Sequence, residues 1–406
     1  MKAHESSAPV RGVVLSGGGA RGAYETGVLA YLLAETDPKL WRTPRLQILS
    51  GTSVGAIHAC YLAAAADRPQ HDITRLLSVW RSFRLDRVLR FALRDVLHLP
   101  TDIRAMLRGV ELHRGGVLLN SEVLQSVVIR DIAWPKIRQN LAAGRIDAVT
   151  VSATQIGSGR NVVFVDAREP WNPPWSRDPR RVGRAVRLRP AHALASAAIP
   201  LLFPAIAIDG QYHCDGGLRQ NTPVSPALRL GVDRLLVIAT RPPPALLAPP
   251  PEADAGPESY PKPLYLVGKL LDALMLDRLE YDLTRLEGVN RLIRDGTKTF
   301  GPDFAPKLAE TIRKDRGHGF REVKTTVVRP SCDIGAMATQ FAREIHPHLG
   351  GLPGWLLSTL GRSEAVANSD LMSYLMFDGR FAEQVIQLGM ADADARRAEL
   401  IEFLRD

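Results

Sequence analysis

Val13-Val14-Leu15-Ser16 is a brief apolar run that ends in a glycine-rich stretch. Ala23–Ala34 then places Tyr24, Val28, Leu29, Leu32 and Leu33 on one side of a 3.6-residue period. This reads as strand, loop, helix. Leu46–Leu49 starts the pattern again: a short strand, a tight turn, and a helix former from Ala56 to Ala66 broken only by His58. Two successive β-then-α units predict a mostly parallel sheet covered by helices.

Further along, Asp147–Thr154 and Asn161–Asp166 alternate as two strands around Gly157-Ser158-Gly159. Ala191–Ala198 is a small-residue helix stopped by Pro200. Asp209-Gly210 marks a hairpin between Ala205–Ile208 and Gln211–Cys214. A short helix at Pro226–Leu230 and an apolar strand at Arg234–Ala239 follow. Between Asp67 and Gly144 the chain reads as helical and basic. Ile73–Phe91 interleaves apolar residues with arginines, which suits a core helix with a solvated face or a cap facing lipid, and Asn120 can cap a helix through Ile129. Prolines crowd Arg241–Pro263. Beyond them the pattern predicts a long amphipathic helix over Leu264–Ile293, a strand over Glu322–Arg329 and helices over Leu371–Phe377, Phe381–Leu388 and Ala391–Leu404. The expected organisation is a flexible stretch at 1–10, a catalytic domain at 11–240 with a helical insert at 67–144, a Pro-rich loop or linker at 241–263, and a mostly helical extension packed on that domain at 264–406.

Composition adds three constraints. With 406 residues, 45% apolar and 23% charged, the chain can bury a large core. The net charge of +9 favours anionic surfaces, phospholipid or nucleic acid, unless it only reflects an arginine-rich composition. Three widely spaced cysteines, Cys60, Cys214 and Cys332, form neither a disulfide framework nor a metal cluster and suit a reducing compartment. Residues 1–11 lack the apolar core of a secretory signal, and no apolar run approaches a membrane span, so a cytoplasmic location is expected.

Three short motifs carry candidate chemistry. Gly51-Thr52-Ser53-Val54-Gly55 fits G-x-S-x-G in a strand-turn-helix context, as a nucleophile elbow requires; the alternative is a plain small-residue turn. Gly17-Gly18-Gly19-Ala20-Arg21-Gly22 fits the dinucleotide fingerprint G-x-G-x-x-G, but the acidic residue expected about twenty positions on is missing, since Asp37 comes too early. The same loop also suits an oxyanion hole of consecutive amides at a helix start, with Arg21 adding positive charge. Asp215-Gly216-Gly217 places a carboxylate in a turn, either as a turn former or as a base for Ser53. A triad would need a histidine. His58 points away along its helix, His213 alternates with Asp215 on one strand and is the best candidate, and His192 is a weaker one.

Taken together, these blocks resemble the patatin-like phospholipases. A fourth block, Ala195-Ser196-Ala197-Ala198-Ile199-Pro200-Leu201-Leu202-Phe203-Pro204, resembles that family's Ala-Ser-x-Ala-Ile-Pro-x-x-Phe-Pro. The resemblance covers residues 11–240 apart from the insert. Ser331–Gly335 and Ser373–Gly379 look more loosely like the longer bacterial members. It implies a three-layer α/β/α sandwich and a Ser-Asp dyad without catalytic histidine. Ser53 would be the nucleophile and Asp215 the base, with an oxyanion hole of Gly17, Gly18, Gly19 and Val54 assisted by Arg21. It implies no cofactor or metal. The substrate would be a phospholipid or other acyl ester, with peripheral contact to an anionic membrane surface and no nucleic-acid partner; oligomeric state is not specified. Two other classes stay open: an inactive or regulatory lipid-binding module on the same scaffold, and a nucleotide-binding enzyme using Gly17–Gly22.

Overall fold

The computed structural model describes residues 8–35, 46–88, 121–169, 178–200, 202–246, 279–316, 319–345 and 372–405. The first part of the chain runs β1 (Arg11–Leu15), α1 (Gly22–Ala30), β2 (Ile48–Thr52), α2 (Val54–Ala65), α3 (Pro69–Ser82), α4 (Leu85–Val88), α5 (Ser121–Arg130) and α6 (Trp134–Ala142). Next come β3 (Ala148–Gln155), β4 (Asn161–Ala167), β5 (Arg181–Ala185), α7 (Pro190–Ser196), β6 (Ile206–Ile208), β7 (Gln211–Asp215), α8 (Val224–Leu230) and β8 (Arg234–Ile238). The rest is α9 (Leu279–Phe300), α10 (Phe304–Arg316), β9 (Lys324–Val328), α11 (Ile334–Ile345), α12 (Gly379–Ala395) and α13 (Arg397–Leu404).

One sheet holds all nine strands of the described residues, in the order β5-β4-β3-β2-β1-β8-β9, with the β6–β7 hairpin joined to β3. Pairings through β3-β2-β1-β8-β9 are parallel, as is β4–β5; β3–β4, β3–β7 and β6–β7 are antiparallel. Strand alternation sends Val13, Leu15, Leu236 and Ile238 to one face and Val14, Leu235 and Val237 to the other. The first face is covered by α1, α2 and α12, and the second by α8 and α9. Helices on both sides of a mostly parallel sheet make the α/β/α sandwich expected from the sequence.

Register positions the chemistry. Thr52, the last residue of β2, pairs with Ser152 of β3. Strand β3 continues past that point, and β7 pairs with its overhang, setting Asp215 opposite Ala153. The end of β7 therefore lies where β2 turns into its helix. The β6–β7 turn has φ of 50° at Asp209 and 74° at Gly210, the left-handed pair that an Asp-Gly hairpin supplies.

Several elements differ from expectation. The first helix passes into a π-turn at Tyr31–Glu35. The basic amphipathic segment breaks after Ser82, and its last residues lie outside the described ones, as do most of the Pro-rich stretch and the start of the long helix, which runs on to Phe300. Strand β5 and helices α10 and α11 were not expected. The two closing helices divide at Arg396, later than the pattern suggests.

Helix α12 lies tightly along α1. A Cβ on Gly27 would come within 2.1 Å of the Ile386 carbonyl oxygen, and one on Gly389 within 2.3 Å of the Tyr24 oxygen. Glycine at both crossings lets the backbones touch, so α12 is pressed against the helix that follows the glycine loop.

Candidate active site

Ser53 has φ 55° and ψ −126°, a strained setting for a residue with a side chain. Close packing holds it there: a Cβ on Gly51 would lie 2.1 Å from the Gly55 oxygen, and one on Gly55 2.3 Å from the Leu15 oxygen. Serine is a favoured helix N-cap, yet the Ser53 side chain makes no capping bond to α2. Its hydroxyl instead donates to Asp215 Oδ2 at 2.6 Å. Asp215 Oδ1 accepts from the Gly217 amide at 2.7 Å. The carboxyl is fully buried, and burial pushes its pKa up to about 7 against the lowering effect of those two hydrogen bonds.

The Ala195–Ala198 block braces both residues. Ser196 Oγ accepts the Ser53 amide at 2.8 Å and donates to the Ser152 carbonyl at 2.6 Å. The Asp215 amide donates to the Ala198 carbonyl at 2.9 Å. The sequence offers Ser196 only as a member of a family block; its position under the elbow comes from the fold.

The glycine loop divides its work. The Gly17 amide donates to the Asn221 carbonyl at 3.0 Å, and its carbonyl accepts from Thr240 Oγ1 at 2.7 Å and Asn221 Nδ2 at 3.2 Å. Both backbone groups of Gly17 are thus engaged, and it shapes the loop where an oxyanion amide was expected. Gly18 precedes a 3₁₀ turn opened by Gly19, and Val54 opens α2. The first amides of a helix have no acceptor within it, and Gly19 and Val54 border the cavity beside Ser53. Arg21 also departs from expectation. It is 2% exposed, its Nε donates to Ser373 Oγ at 2.6 Å, and its guanidinium lies 4.5 Å from the centre of the Tyr374 ring. It ties the loop to the C-terminal segment.

A small, partly open pocket lies at Ser53. Its walls include Ile57, Leu124, Ile199, Phe203, Leu375 and Phe377. Such a lining accepts an aliphatic chain. Leu124 comes from α5 and Phe377 from the C-terminal segment, so the insert and the extension both complete it.

The structure brings none of the three histidines to Ser53. His213 Nδ1 lies 2.9 Å from the Gln211 carbonyl oxygen, and its ring packs against Phe164. His192 Nδ1 accepts the Arg189 amide at 3.0 Å, closing the start of α7. His58 is sealed between helices: Nδ1 lies 2.7 Å from Glu25 Oε2, and Nε2 accepts from the Trp80 indole at 3.1 Å. Burial lowers the pKa of His58 to about 3 and raises that of Glu25 well above its usual range.

Ser53 thus stands on a strained strand-to-helix turn, next to a buried carboxyl and an apolar pocket in an α/β/α sandwich. Residues 13–228, more than half of the chain, match the family model of the patatin-like phospholipases, and the chain belongs to that family. No curated protein matches the sequence. Among solved structures, VipD from Legionella pneumophila aligns with 13% identity and a TM-score of 0.31, over 80% of this chain and 61% of VipD. The chain therefore spans less than two thirds of that protein. Among the described residues, no helix is long and apolar enough to cross a membrane.

Proposed function

We propose that the chain hydrolyses lipid acyl esters with Ser53 as nucleophile and Asp215 as base. The observation that carries this reading is the 2.6 Å hydrogen bond from the Ser53 hydroxyl to Asp215 Oδ2 at the mouth of an apolar cavity. Asp215 takes the proton as Ser53 Oγ attacks the ester carbonyl, and a tetrahedral intermediate forms. The amides of Gly18, Gly19 and Val54 face the developing oxyanion. As the intermediate collapses, Asp215 returns the proton to the leaving alcohol or lysolipid. Water then attacks the acyl-enzyme, losing its proton to Asp215, which passes it to Ser53 Oγ as the fatty acid departs. Placement of the glycine loop beside Ser53 favours this role over dinucleotide binding. The net charge of +9 supports docking on anionic lipid, which salt would weaken.

Labelling with a fluorophosphonate tests the nucleophile. Peptide mapping should find the adduct on Ser53 alone, and Ser53→Ala should abolish it. Lipid mass spectrometry of a mixed extract incubated with wild type and with Ser53→Ala should show free fatty acid released only by wild type. A folded wild type that is neither labelled nor active would replace this reading with that of a lipid-binding module.

A further inference from the structure

Arginines elsewhere on the surface stand against carboxylates, as Arg75 does with Asp131, Arg81 with Glu383 and Arg294 with Glu287 and Glu322. One end of the sheet departs from this. Arg160, Arg180, Arg184 and Arg219 have no carboxylate partner among the described residues. They lie close together. The Arg160 carbonyl accepts the Gln155 amide at 2.9 Å, and the Arg180 carbonyl accepts the Asn161 amide at 2.8 Å. A Cβ on Gly159 would lie 3.0 Å from an Arg219 guanidinium nitrogen, and Arg184 Nη2 donates to Gln211 Oε1 at 2.9 Å. Along 155–161, 178–184 and 206–213 the carboxylates are Asp178, which faces Arg181, and Asp209 in the hairpin turn.

The same end carries an exposed apolar row. Tyr212 of β7 pairs with Ala207 of β6. Continuing the β3–β7 register one step sets Ile156 opposite Tyr212, whose carbonyl accepts the Ile156 amide at 2.9 Å. Residues opposite one another share a face of the sheet. Tyr212 is 62% exposed and Ile156 50%, and Ala207 is exposed as well. Thr52 is level with Ser152, so at about 3.3 Å per residue Ile156 stands roughly 13 Å beyond the strand end that carries Ser53. The exposed apolar side chains of α9, Tyr281 and Leu292, share their helix with Glu280, Asp282, Glu287 and Asp295 instead.

We propose that the β6–β7 hairpin and the β3–β4 turn form the surface by which the chain docks on an anionic phospholipid bilayer. Tyr212 and Ile156 enter the headgroup layer, and Arg160, Arg180, Arg184 and Arg219 meet the lipid phosphates. The choice of lipid rests on the hydrolase reading above. Charge complementarity supports it: arginines without carboxylate partners suit an anionic surface, and a guanidinium matches phosphate in a fork geometry. The apolar row adds what a purely ionic contact does not need. A tyrosine with an apolar ring and a polar tip fits the boundary between headgroups and acyl chains. Docking by this end turns the strand end that carries Ser53 towards the bilayer.

The test is flotation of the full chain with vesicles, in a Ser53→Ala background so that no lipid is consumed. Vesicles of phosphatidylcholine alone are compared with vesicles containing about 30% phosphatidylglycerol. The parent should bind the anionic vesicles, and more weakly as salt rises. Tyr212→Ser with Ile156→Ser should weaken that binding at least about tenfold. Arg160→Gln with Arg219→Gln should weaken it about fivefold per arginine and flatten its salt dependence. Leu292→Ser on α9 should bind as the parent does. With Ser53 restored, each variant should turn over a water-soluble short-chain ester at the wild-type rate. Should the apolar double variant unfold, the arginine double variant decides. Binding that survives the substitutions, equal binding to both vesicle types, or equal loss from Leu292→Ser would overturn the proposal. So would a chain that leaves vesicles unbound but captures RNA or dimerises through the same residues. A wild type that binds vesicles yet hydrolyses no ester would remove the Ser53–Asp215 reading without touching the docking result.

Discussion

Two buried hydrogen-bonded pairs of nearly equal length sit at the two ends of the same helix start. Ser53 Oγ and Asp215 Oδ2 are 2.6 Å apart; His58 Nδ1 and Glu25 Oε2 are 2.7 Å apart. By residue type, the imidazole and carboxyl look more like catalytic partners. The proposed roles run the other way. Ser53 stands on a strained turn at a cavity, whereas His58 lies a turn further along α2, with Trp80 across its free nitrogen. Because the Trp80 indole N–H must donate, the imidazole carries its proton on Nδ1, facing Glu25. Both members of that pair are driven towards their neutral forms by burial. Access and backbone position, more than the chemical type of the pair, separate the proposed reactive couple from the sealed one.

Changing a carboxyl to an amide at each site tests this directly. Asp215→Asn should lower kcat at least about a thousandfold, as should Ser53→Ala, because each removes an essential part of one unit. Glu25→Gln should leave turnover within a fewfold, since its amide oxygen can still accept from His58 Nδ1. Glu25→Ala leaves that N–H unpaired in the core and should cost roughly 1–3 kcal/mol of stability, read by denaturant unfolding. Loss of turnover in folded Glu25→Gln would mean that the sealed pair takes part in the chemistry.

Ser196 tests how far the strained turn depends on its brace. Ser196→Ala removes the acceptor of the Ser53 amide, so kcat should fall about ten- to a hundredfold. Ser196→Thr, which keeps the oxygen, should recover part of that loss if the larger side chain fits. Equal loss in both variants, with no loss of fold, would point to packing instead.

The elbow is legible in the sequence because everything it needs is local: an apolar strand, Gly51 and Gly55 at contact points, and an alanine-rich helix. Asp215 is legible as a turn residue, but its meeting with Ser53 depends on β3 outrunning β2 and on an antiparallel partner 162 positions away. The engagement of Gly17 by Asn221, and of Arg21 by Ser373 and Tyr374, is set by segments remote in sequence, which no local pattern reports. Strand β5, Arg-Val-Gly-Arg-Ala, lacks apolar alternation because it is an edge strand with little to bury. Helix α11 does carry a signal, the apolar spacing of Ile334, Ala338, Phe341 and Ile345.

Acidity separates the pairs at a smaller scale. The base form of Asp215 forms around pH 7, so kcat/KM should fall about tenfold per pH unit below that. Stability should move the other way. A carboxyl whose folded pKa is raised from 3.8 to about 7 binds more protons in the folded state across that window. Its contribution to stability is complete below about 3.8 and is lost as pH rises through 7. Asp215→Asn should therefore have a higher thermal midpoint than wild type at pH 8, and a smaller advantage at pH 5. A rate independent of pH between 5 and 8 would remove Asp215 as the base.

The smallest effect is expected at His213, which the sequence offers as a triad member. Its Nδ1 is committed to the Gln211 carbonyl, and its buried Nε2 has no hydrogen-bond partner among the described residues. It stands on the same strand as Asp215, two positions earlier, so it sits close to the chemistry without touching it. His213→Ala should keep kcat within a fewfold of wild type, and the pH profile should keep its midpoint near 7, because Asp215 alone sets it. His213→Asn is the closer comparison, since its side-chain amide retains a donor for Gln211. A drop in kcat approaching that of Ser53→Ala, or a displaced profile in either variant, would mean that the imidazole reaches the serine in solution and that the dyad is a triad.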